Sequence, residues 1–425
     1  KGNVNHQPFS PEKVNDSIKS LKRNVSSGLD GISSEHLIYG ICDELCTYLF
    51  SLYNVMMNVT TVPNNICIGV IIPVLKKSTL NPNNTNNYRP IKLGSSHGKL
   101  LEISMMPADE NHRTQFGFRH GRGTSFPNVL LNDVLQYCKN KGSPSFICSL
   151  DAEKCFDTIW HDGLFFKLFN KLPHSHWLFL RLWYNSLQAC VKWEGSASSY
   201  FHVSRGTKQG SILSPALFNI FINDLLIDLE SCDTGIYLRP NKINAFAYAD
   251  DISLLSLSVP GLQLLIDKCY KYSTKWCLKC GIKKSKCMTY GKHILKHKPS
   301  WILGDTVLEN VTDLEILGVL SSANGSNDVN IDKRTNACRR SIYSLIGSGF
   351  SYPGLGSDVK SHLWKSIGLP TLSYGLECTH LSNADMKKLE SIQTTTIKKC
   401  LGLPIRSHHT NLLKSLNLKP IKDVN

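Results

Sequence analysis

Apolar residues along the chain recur with two periods, and the change from one to the other marks out its elements. Val14, Ile18 and Leu21 stand at helical spacing ahead of the Ser-Ser-Gly-Leu-Asp-Gly run at 26–31, which predicts a helix, a turn and a second helix start. Residues 41–57 read as another apolar-rich helix, closed by Pro63. The run ICIGVIIPVL at 66–75 predicts a short buried strand. At SFICSLDAEKCFDTIW, from 145, Phe146, Cys148 and Leu150 alternate as on a strand that delivers Asp151 at its end, with Phe156 at the start of a helix. Helices follow at 161–171 and 176–188, their aromatic stripe read as core, then a hairpin at 189–204 and a long helix at 213–229 with Pro215 in its first turn. The stretch NAFAYADDISLLSL at 244–257 predicts a strand, a tight turn holding Asp250 and Asp251, and a second strand, with Phe246, Tyr248 and Asp250 on one side. Residues 330–349 and 356–402 read as helices with basic faces. This mixture predicts an α/β (α+β) chain.

A length of 425 residues allows two or three domains, and 41% hydrophobic content is that of a folded chain. Charge changes the picture: 48 Lys and Arg against 33 Asp and Glu leave +15, which favours nucleic acid or another polyanion as partner over a basic solvated surface. Fifteen Cys spread over the whole length lack the dense spacing of a small secreted scaffold and point to a reducing compartment. No apolar run approaches the length of a membrane span, and no signal peptide is present, so no membrane partner is expected. The first residue is Lys, which leads us to expect a piece of a longer product.

Candidate chemistry centres on Asp250-Asp251. Adjacent carboxylates on a rigid turn repel unless a cation neutralises them, and Mg²⁺ in polymerase sites takes one or two carboxylates plus substrate phosphates; a plain polar turn is the alternative. Asp151 at a strand end has a helix cap as its alternative. The glycines of Ser204-Arg205-Gly206-Thr207-Lys208-Gln209-Gly210 mark a loop whose backbone comes close to something, or only a tight turn. Lys76, Lys77 and Arg89 flank an Asn-rich loop and could grip a triphosphate, Lys as a point charge and Arg as a fork, or form a solvated edge. Cys277 and Cys280 with His293 and His297 have the spacing of a two-Cys, two-His zinc finger, but a finger's helix needs packing residues and the segment offers Lys284 and Tyr290. Zinc binding is therefore not expected.

Three separated elements coincide: Asp151 with Phe156, the Gly206-to-Gly210 loop with its helix, and Tyr248-Ala249-Asp250-Asp251. With YRPIKL (88–93), QFGFRHGRGT (115–124), LDAEKCFDTI (150–159), RGTKQGSILSPALFN (205–219) and FAYADD (246–251), the chain resembles the non-LTR retrotransposon (LINE-type) reverse transcriptases over most of its length. The resemblance implies a right-hand polymerase: an N-terminal helical extension at 1–68, fingers at 69–145, a palm of antiparallel sheet with packed helices at 146–320 that includes finger-contributed helices at 161–204, and a helical thumb at 321–425. It implies an RNA-directed DNA polymerase, a nucleotidyltransferase adding dNTPs to a DNA primer on a template RNA, in the nucleus and cytoplasm. Asp151 and Asp250 would be the principal ligands of two Mg²⁺ ions, with Asp251 completing the cluster and Mn²⁺ a substitute. Phe156 would exclude a ribose 2′-hydroxyl, Gln209 and Gly210 would line the nucleotide and template pocket, Arg89 with Lys76 or Lys77 would meet the triphosphate, and Tyr248 would lie near the primer end. LEILGV (314–319) is similar to the hairpin that grips the primer, and Lys333, Arg334, Arg339, Arg340, Lys398 and Lys399 would face a duplex.

Departures from the family pattern carry the alternative. About ten finger residues look missing between Glu102 and Gln115 against the usual connection lengths. Cys155 replaces a common Ala, and 280–288 resembles a shortened motif D. These favour a catalytically impaired, nucleic-acid-binding relic.

Overall fold

Short polar signals start the helices. Ser10 accepts a hydrogen bond from the Lys13 amide and Pro11 takes the first position, so Pro11–Lys19 begins where the chain supplies both a cap and a residue with no donor to waste. Ser95 caps Ser96–Ser104 by accepting from the Gly98 amide. Ser382 and Asp385 form a reciprocal box at the head of Asn383–Leu401, which stops at Gly402 with φ 67°.

The computed structural model describes residues 9–208, 210–238, 240–291, 299–350, 352, 354–408 and 410–423. The chain divides into two units, each built from three stretches: Lys1–Arg119 with Ala152–Asp228 and Cys269–Gly281, and His120–Asp151 with Leu229–Lys268 and Ile282–Asn425.

In the first unit, Ile68–Leu75 pairs antiparallel with Tyr88–Leu93 and parallel with Gln188–Trp193. Two short strands, Ser196–Ala197 and Phe201–His202, complete this sheet on the Gln188–Trp193 side. The strand expected at 66–75 thus starts after one helical turn, Asn64–Cys67, and the hairpin expected at 189–204 is one strand with two short partners. Helices Asp43–Val59, Ser96–Ser104, His161–Leu168 and His174–Asn185 enclose a core in which Tyr53, Leu100, Phe179, Trp183 and Tyr184 are each at most 1% exposed. Side chains of this size each contribute about 2–3 kcal/mol when fully buried, so the aromatic stripe of 176–188 is core.

The second unit holds a five-stranded sheet in the order Glu309–Asn310, Lys286–Tyr290, Ser145–Leu150, Asp251–Ser256, Ala245–Tyr248. The inner pairings are antiparallel; the Glu309–Asn310 edge is parallel to its neighbour. Ser145–Leu150 is the middle strand, and its Phe146, Ile147, Cys148 and Leu150 are all buried, which is why its sequence is a nearly continuous apolar run. Beyond the sheet, the hairpin of Asp313–Ile316 and Val319–Ser322 leads to helices Asp328–Leu345, Ser357–Leu363, Leu369–Ser373 and Asn383–Leu401. Ile331, Cys338, Ile342, Trp364, Leu372 and Leu389 form the centre of their shared core. Helical structure over 356–402 is interrupted after Ser373, where Gly375 takes φ 76° and a side chain in its place would meet a Val319 methyl at 2.4 Å.

The basic faces expected here are partly spent inside the fold. The turn at Leu317-Gly318, both residues with positive φ, gives its carbonyls to side chains: Leu317 O accepts from the Tyr374 hydroxyl at 3.0 Å, and Gly318 O from two cations. Lys333 Nζ donates to Gly318 O at 3.1 Å and pairs with Glu315 at 2.7 Å. Arg334 donates to the same carbonyl and lies over the Tyr374 ring at 4.6 Å. Lys398 is buried and donates to Ile405 O at 2.8 Å. Arg339, Arg340 and Lys399 do face solvent, Lys399 with a bond to the Tyr343 hydroxyl.

Candidate active site

Strand pairing in the second unit sets the acidic cluster. Tyr248 pairs with Asp251, so Ala249 and Asp250 form a two-residue turn, with Ala249 in the left-handed region at φ 56°. Asp250 therefore sits in the turn rather than in line with Phe246 and Tyr248. On the other side of Asp251–Ser256, Ile252 faces Leu150. The ladder ends there, and the next residues beyond that pair are Asp251 and Asp151. On the other side of Ser145–Leu150 the last pair is Lys286 with Ser149, and Lys284 lies just ahead of it in a turn that the Ser285 amide closes on Ile282 O. Residues directly opposite one another in an antiparallel ladder share a face, so Tyr248 and Asp251 do, while Lys284 reaches Asp151 from its turn.

Contacts agree with that placement. Lys284 Nζ lies 3.0 and 3.1 Å from the two carboxylate oxygens of Asp151, and the Asp151 amide donates to Ser285 Oγ at 3.2 Å. Asp151 is partly sheltered, with 20% of its side chain exposed, while Lys284 is 71% exposed. Asp251 keeps contact with solvent, but the surrounding protein first, then the charges of Asp250 and Asp151, push its pKa up to about 6, with Lys284 pulling the other way.

In the first unit, Phe156 lies on the single turn Cys155–Thr158. Its ring packs against Phe218 at 4.9 Å and meets Phe118 edge-on at 5.8 Å, so χ freedom is restricted on two sides. The turn carbonyls are taken by the glycine loop: Thr207 N donates to Phe156 O at 2.6 Å and Gly206 N to Ile159 O at 2.8 Å. Gly206 has φ 83°, and a side chain there would stand 2.7 Å from the Asp157 backbone. Gly210, with φ 100°, lies against Lys92 O. The close approach expected of this loop is thus real at both glycines. Gln209 lies outside the described residues.

The cations assigned to a triphosphate occupy one edge of the same unit. Arg89 faces Val74 across the Ile68–Leu75 and Tyr88–Leu93 pair and is exposed, as is Lys77. Lys76 Nζ donates to Asn86 O at 2.7 Å, and Lys154 Nζ to Asn86 Oδ1 at 2.9 Å. Sequence reasoning passed over Lys154, Phe118 and Lys284. The signal for Lys284 was present in the basic run Lys283, Lys284, Lys286 just ahead of a strand.

Among the described residues, no three His, Cys, Asp or Glu side chains close on one point tightly enough to hold a metal ion unaided. The donor set of Asp151, Asp250 and Asp251 fits a hard divalent cation that also draws oxygens from a phosphate substrate. Burial first, then the charges of Asp250 and Asp151, raise the Asp251 pKa, and the Lys284 ammonium on Asp151 supplies part of the counter-charge. Cys277 and Cys280 are free thiols, and His293 and His297 of the zinc-finger spacing lie outside the described residues. No helix among the described residues is long and apolar enough to cross a membrane.

Comparison with known proteins shows what the chain is similar to. A family model described as reverse transcriptase (RNA-dependent DNA polymerase) matches residues 74–320. The RNA-directed DNA polymerase from mobile element jockey of Drosophila funebris is 25% identical over 415 residues, covering 93% of this chain and 44% of that protein. The probable RNA-directed DNA polymerase from transposon BS of Drosophila melanogaster is 24% identical, covering 98% of this chain and 47% of that protein. A Pol polyprotein from the type-1 retrotransposable element R2 of Popillia japonica is 26% identical over 76% of this chain. The chain spans about half the length of these relatives. Among solved structures, telomerase from Candida albicans in complex with a telomeric RNA fragment aligns over 88% of this chain and 65% of that chain, at TM-score 0.41 and 10% identity, too distant a likeness to carry an argument.

Proposed function

The chain belongs to the reverse transcriptase (RNA-dependent DNA polymerase) family, and from that premise we propose that it is the RNA-directed DNA polymerase of a non-LTR retrotransposon, adding dNTPs to a DNA primer 3′-hydroxyl on a template RNA. The single observation that carries this reading is the ladder that ends at Ile252 and Leu150, with Asp251 and Asp151 next beyond that pair and Asp250 in the adjoining turn. Members of the family generally use divalent metal ions, and here Asp151, Asp250 and Asp251 are the residues to hold two Mg²⁺, or Mn²⁺ in their place. Such ions would stabilise the attacking 3′-oxygen and the leaving pyrophosphate of an in-line displacement.

The remaining roles belong to the chain itself. Phe156, held by Phe218 and Phe118, is a rigid wall suited to excluding a 2′-hydroxyl. Gly210 leaves backbone accessible where a nucleotide is to lie, with Gln209 beside it in sequence. Arg89, Lys76 and Lys77, with Lys154 added, offer cationic hydrogen-bond donors to a triphosphate. Tyr248, paired with Asp251, is assigned to the primer end. Lys284, seated on both oxygens of the Asp151 carboxylate, limits repulsion within the cluster. Fingers at 69–145, palm at 146–320 and thumb at 321–425, with a nuclear and cytoplasmic location, complete the reading.

The test is primer extension on an RNA template with Mg²⁺ and dNTPs, comparing the chain with Asp250→Ala. We expect extension by the unaltered chain and a loss of roughly 10³-fold in the variant, about 4 kcal/mol of transition-state stabilisation. Equal failure of both, with template–primer binding retained, would overturn the polymerase reading and leave a nucleic-acid-binding relic.

A further inference from the structure

Helix Ser96–Ser104 carries one carboxylate, Glu102, directly after its apolar pair Leu100-Leu101, and that carboxylate is buried. Leu100 and Leu101 are fully enclosed, and the Glu102 side chain is only 5% exposed. A carboxylate in such a place is tolerated only with a full set of donors. Glu102 finds three, all from the loop that follows Thr207: Lys208 Nζ at 2.9 Å, Ser211 Oγ at 2.7 Å and the Ile212 amide at 3.0 Å.

The contacts extend in both directions from this point. Lys208 Nζ lies over the Trp183 ring at 3.4 Å, so its charge is fixed between a carboxylate and an aromatic face. Ser211 Oγ, held by Glu102, accepts from the Leu213 and Ser214 amides at 3.2 and 3.3 Å and so caps Ser214–Glu230. On the other side Lys92 crosses Gly69, where any side chain would collide with it, and brings a fully buried Nζ with no hydrogen-bond partner to a cavity of ≈ 20 Å³ beside Glu102, Lys208 and Gly210. That volume admits one water. Burial, and then the neighbouring Lys208, pull the Lys92 pKa down to about 8.

We propose that Glu102 is the positioning residue of the glycine loop: by binding Lys208, Ser211 and Ile212 at once it fixes the loop at Gly210, and thereby sets dNTP affinity. The anchoring stands on these contacts alone; the consequence for dNTP affinity rests on the polymerase reading.

Hydrogen–deuterium exchange of the full chain separates the two. Glu102→Gln should speed exchange of the Ile212 and Leu213 amides roughly tenfold or more, the size expected for losing a hydrogen bond to a charged group. Thr207, bonded to Phe156 O, and the strand Ile68–Leu75 should stay protected. Glu102→Asp should fall between. In steady-state extension, KM for dNTP should rise about tenfold in Glu102→Gln with kcat within about threefold, the signature of lost ground-state binding. The pair Glu102→Leu with Lys208→Met provides a second variant should Glu102→Gln fold poorly: it removes both charges, is expected to fold, and still leaves Ile212 exchanging fast. Unchanged exchange at Ile212, or an equal rise through Ile68–Leu75, overturns the anchor. A fall in kcat with KM unchanged overturns the link to nucleotide affinity. An unaltered chain that incorporates no nucleotide sinks the polymerase reading instead, and exchange alone then decides the anchor.

Discussion

Two assemblies in this chain use the same ingredients in opposite proportion. At the end of the second unit's sheet, Asp151, Asp250 and Asp251 gather with one lysine, Lys284, in contact with one of them. Around Glu102 in the first unit, one carboxylate stands with two ammonium groups nearby, Lys208 in contact and Lys92 close behind. The first is open to solvent and short of positive charge. The second is closed and has positive charge to spare. A closed cluster must be neutralised by the fold itself, because water cannot help it. An open one can wait for ions from solution, which is what a site that works on phosphates requires.

The largest test of that contrast is at the closed cluster. Glu102→Ala leaves Lys208 and Lys92 buried without their carboxylate and should cost about 3 kcal/mol in urea unfolding, while Glu102→Leu with Lys208→Met should recover most of it. A loss below about 1 kcal/mol would show that water reaches the pair and would erase the distinction.

At the open cluster the effects should be smaller. Lys284→Met removes an ammonium that competes for Asp151, so Mn²⁺ binding measured by EPR without nucleotide should tighten by roughly 3- to 10-fold, a factor kept modest by the exposure of Lys284. Weaker binding would mean that Lys284 shapes Asp151 for metal rather than competing with it.

The smallest effect concerns pH. Because the folded-state pKa of Asp251 is raised to about 6 from an ordinary value of 3.8, the folded chain binds the proton more tightly than the unfolded one. The stabilisation this provides is fully present below pH 4 and is lost as pH rises through 6. Asp251→Asn should therefore raise Tm at pH 7 by roughly 1–2 °C and make no difference at pH 4. A gain of equal size at both values would show that charge repulsion is not its cause.

Much of the open cluster was legible in the residues, because its parts are local. A hairpin turn is written in four consecutive positions, and an alternating strand announces the carboxylate at its end. The Gly206-to-Gly210 loop was legible for the same reason: its two glycines declare close approach without naming the partner. The partners of Lys284 and Glu102 were not legible, since they lie 133 and 106 residues away in sequence and only the folded chain brings them together. A hint existed at Glu102, a charge in the apolar run Leu100-Leu101-Glu102-Ile103. Conversely, Lys333, Arg334 and Lys398 look like solvated charge by type and spacing, yet turn and helix-end carbonyls absorb them. The need that recruits them arises only once the backbone is folded.

The turn that carries Lys284 also decides which copying errors the cluster can survive. Lys284 stands just outside the ladder of Lys286–Tyr290 with Ser145–Leu150, in a turn that the Ser285 amide closes on Ile282 O. A codon lost between Lys284 and Lys286 leaves Lys283 two positions ahead of the strand, where Lys284 stood, and so supplies a second ammonium for Asp151. A codon gained there puts Ser285 or the new residue in that place instead. The cluster thus carries a spare cation against a deletion and none against an insertion.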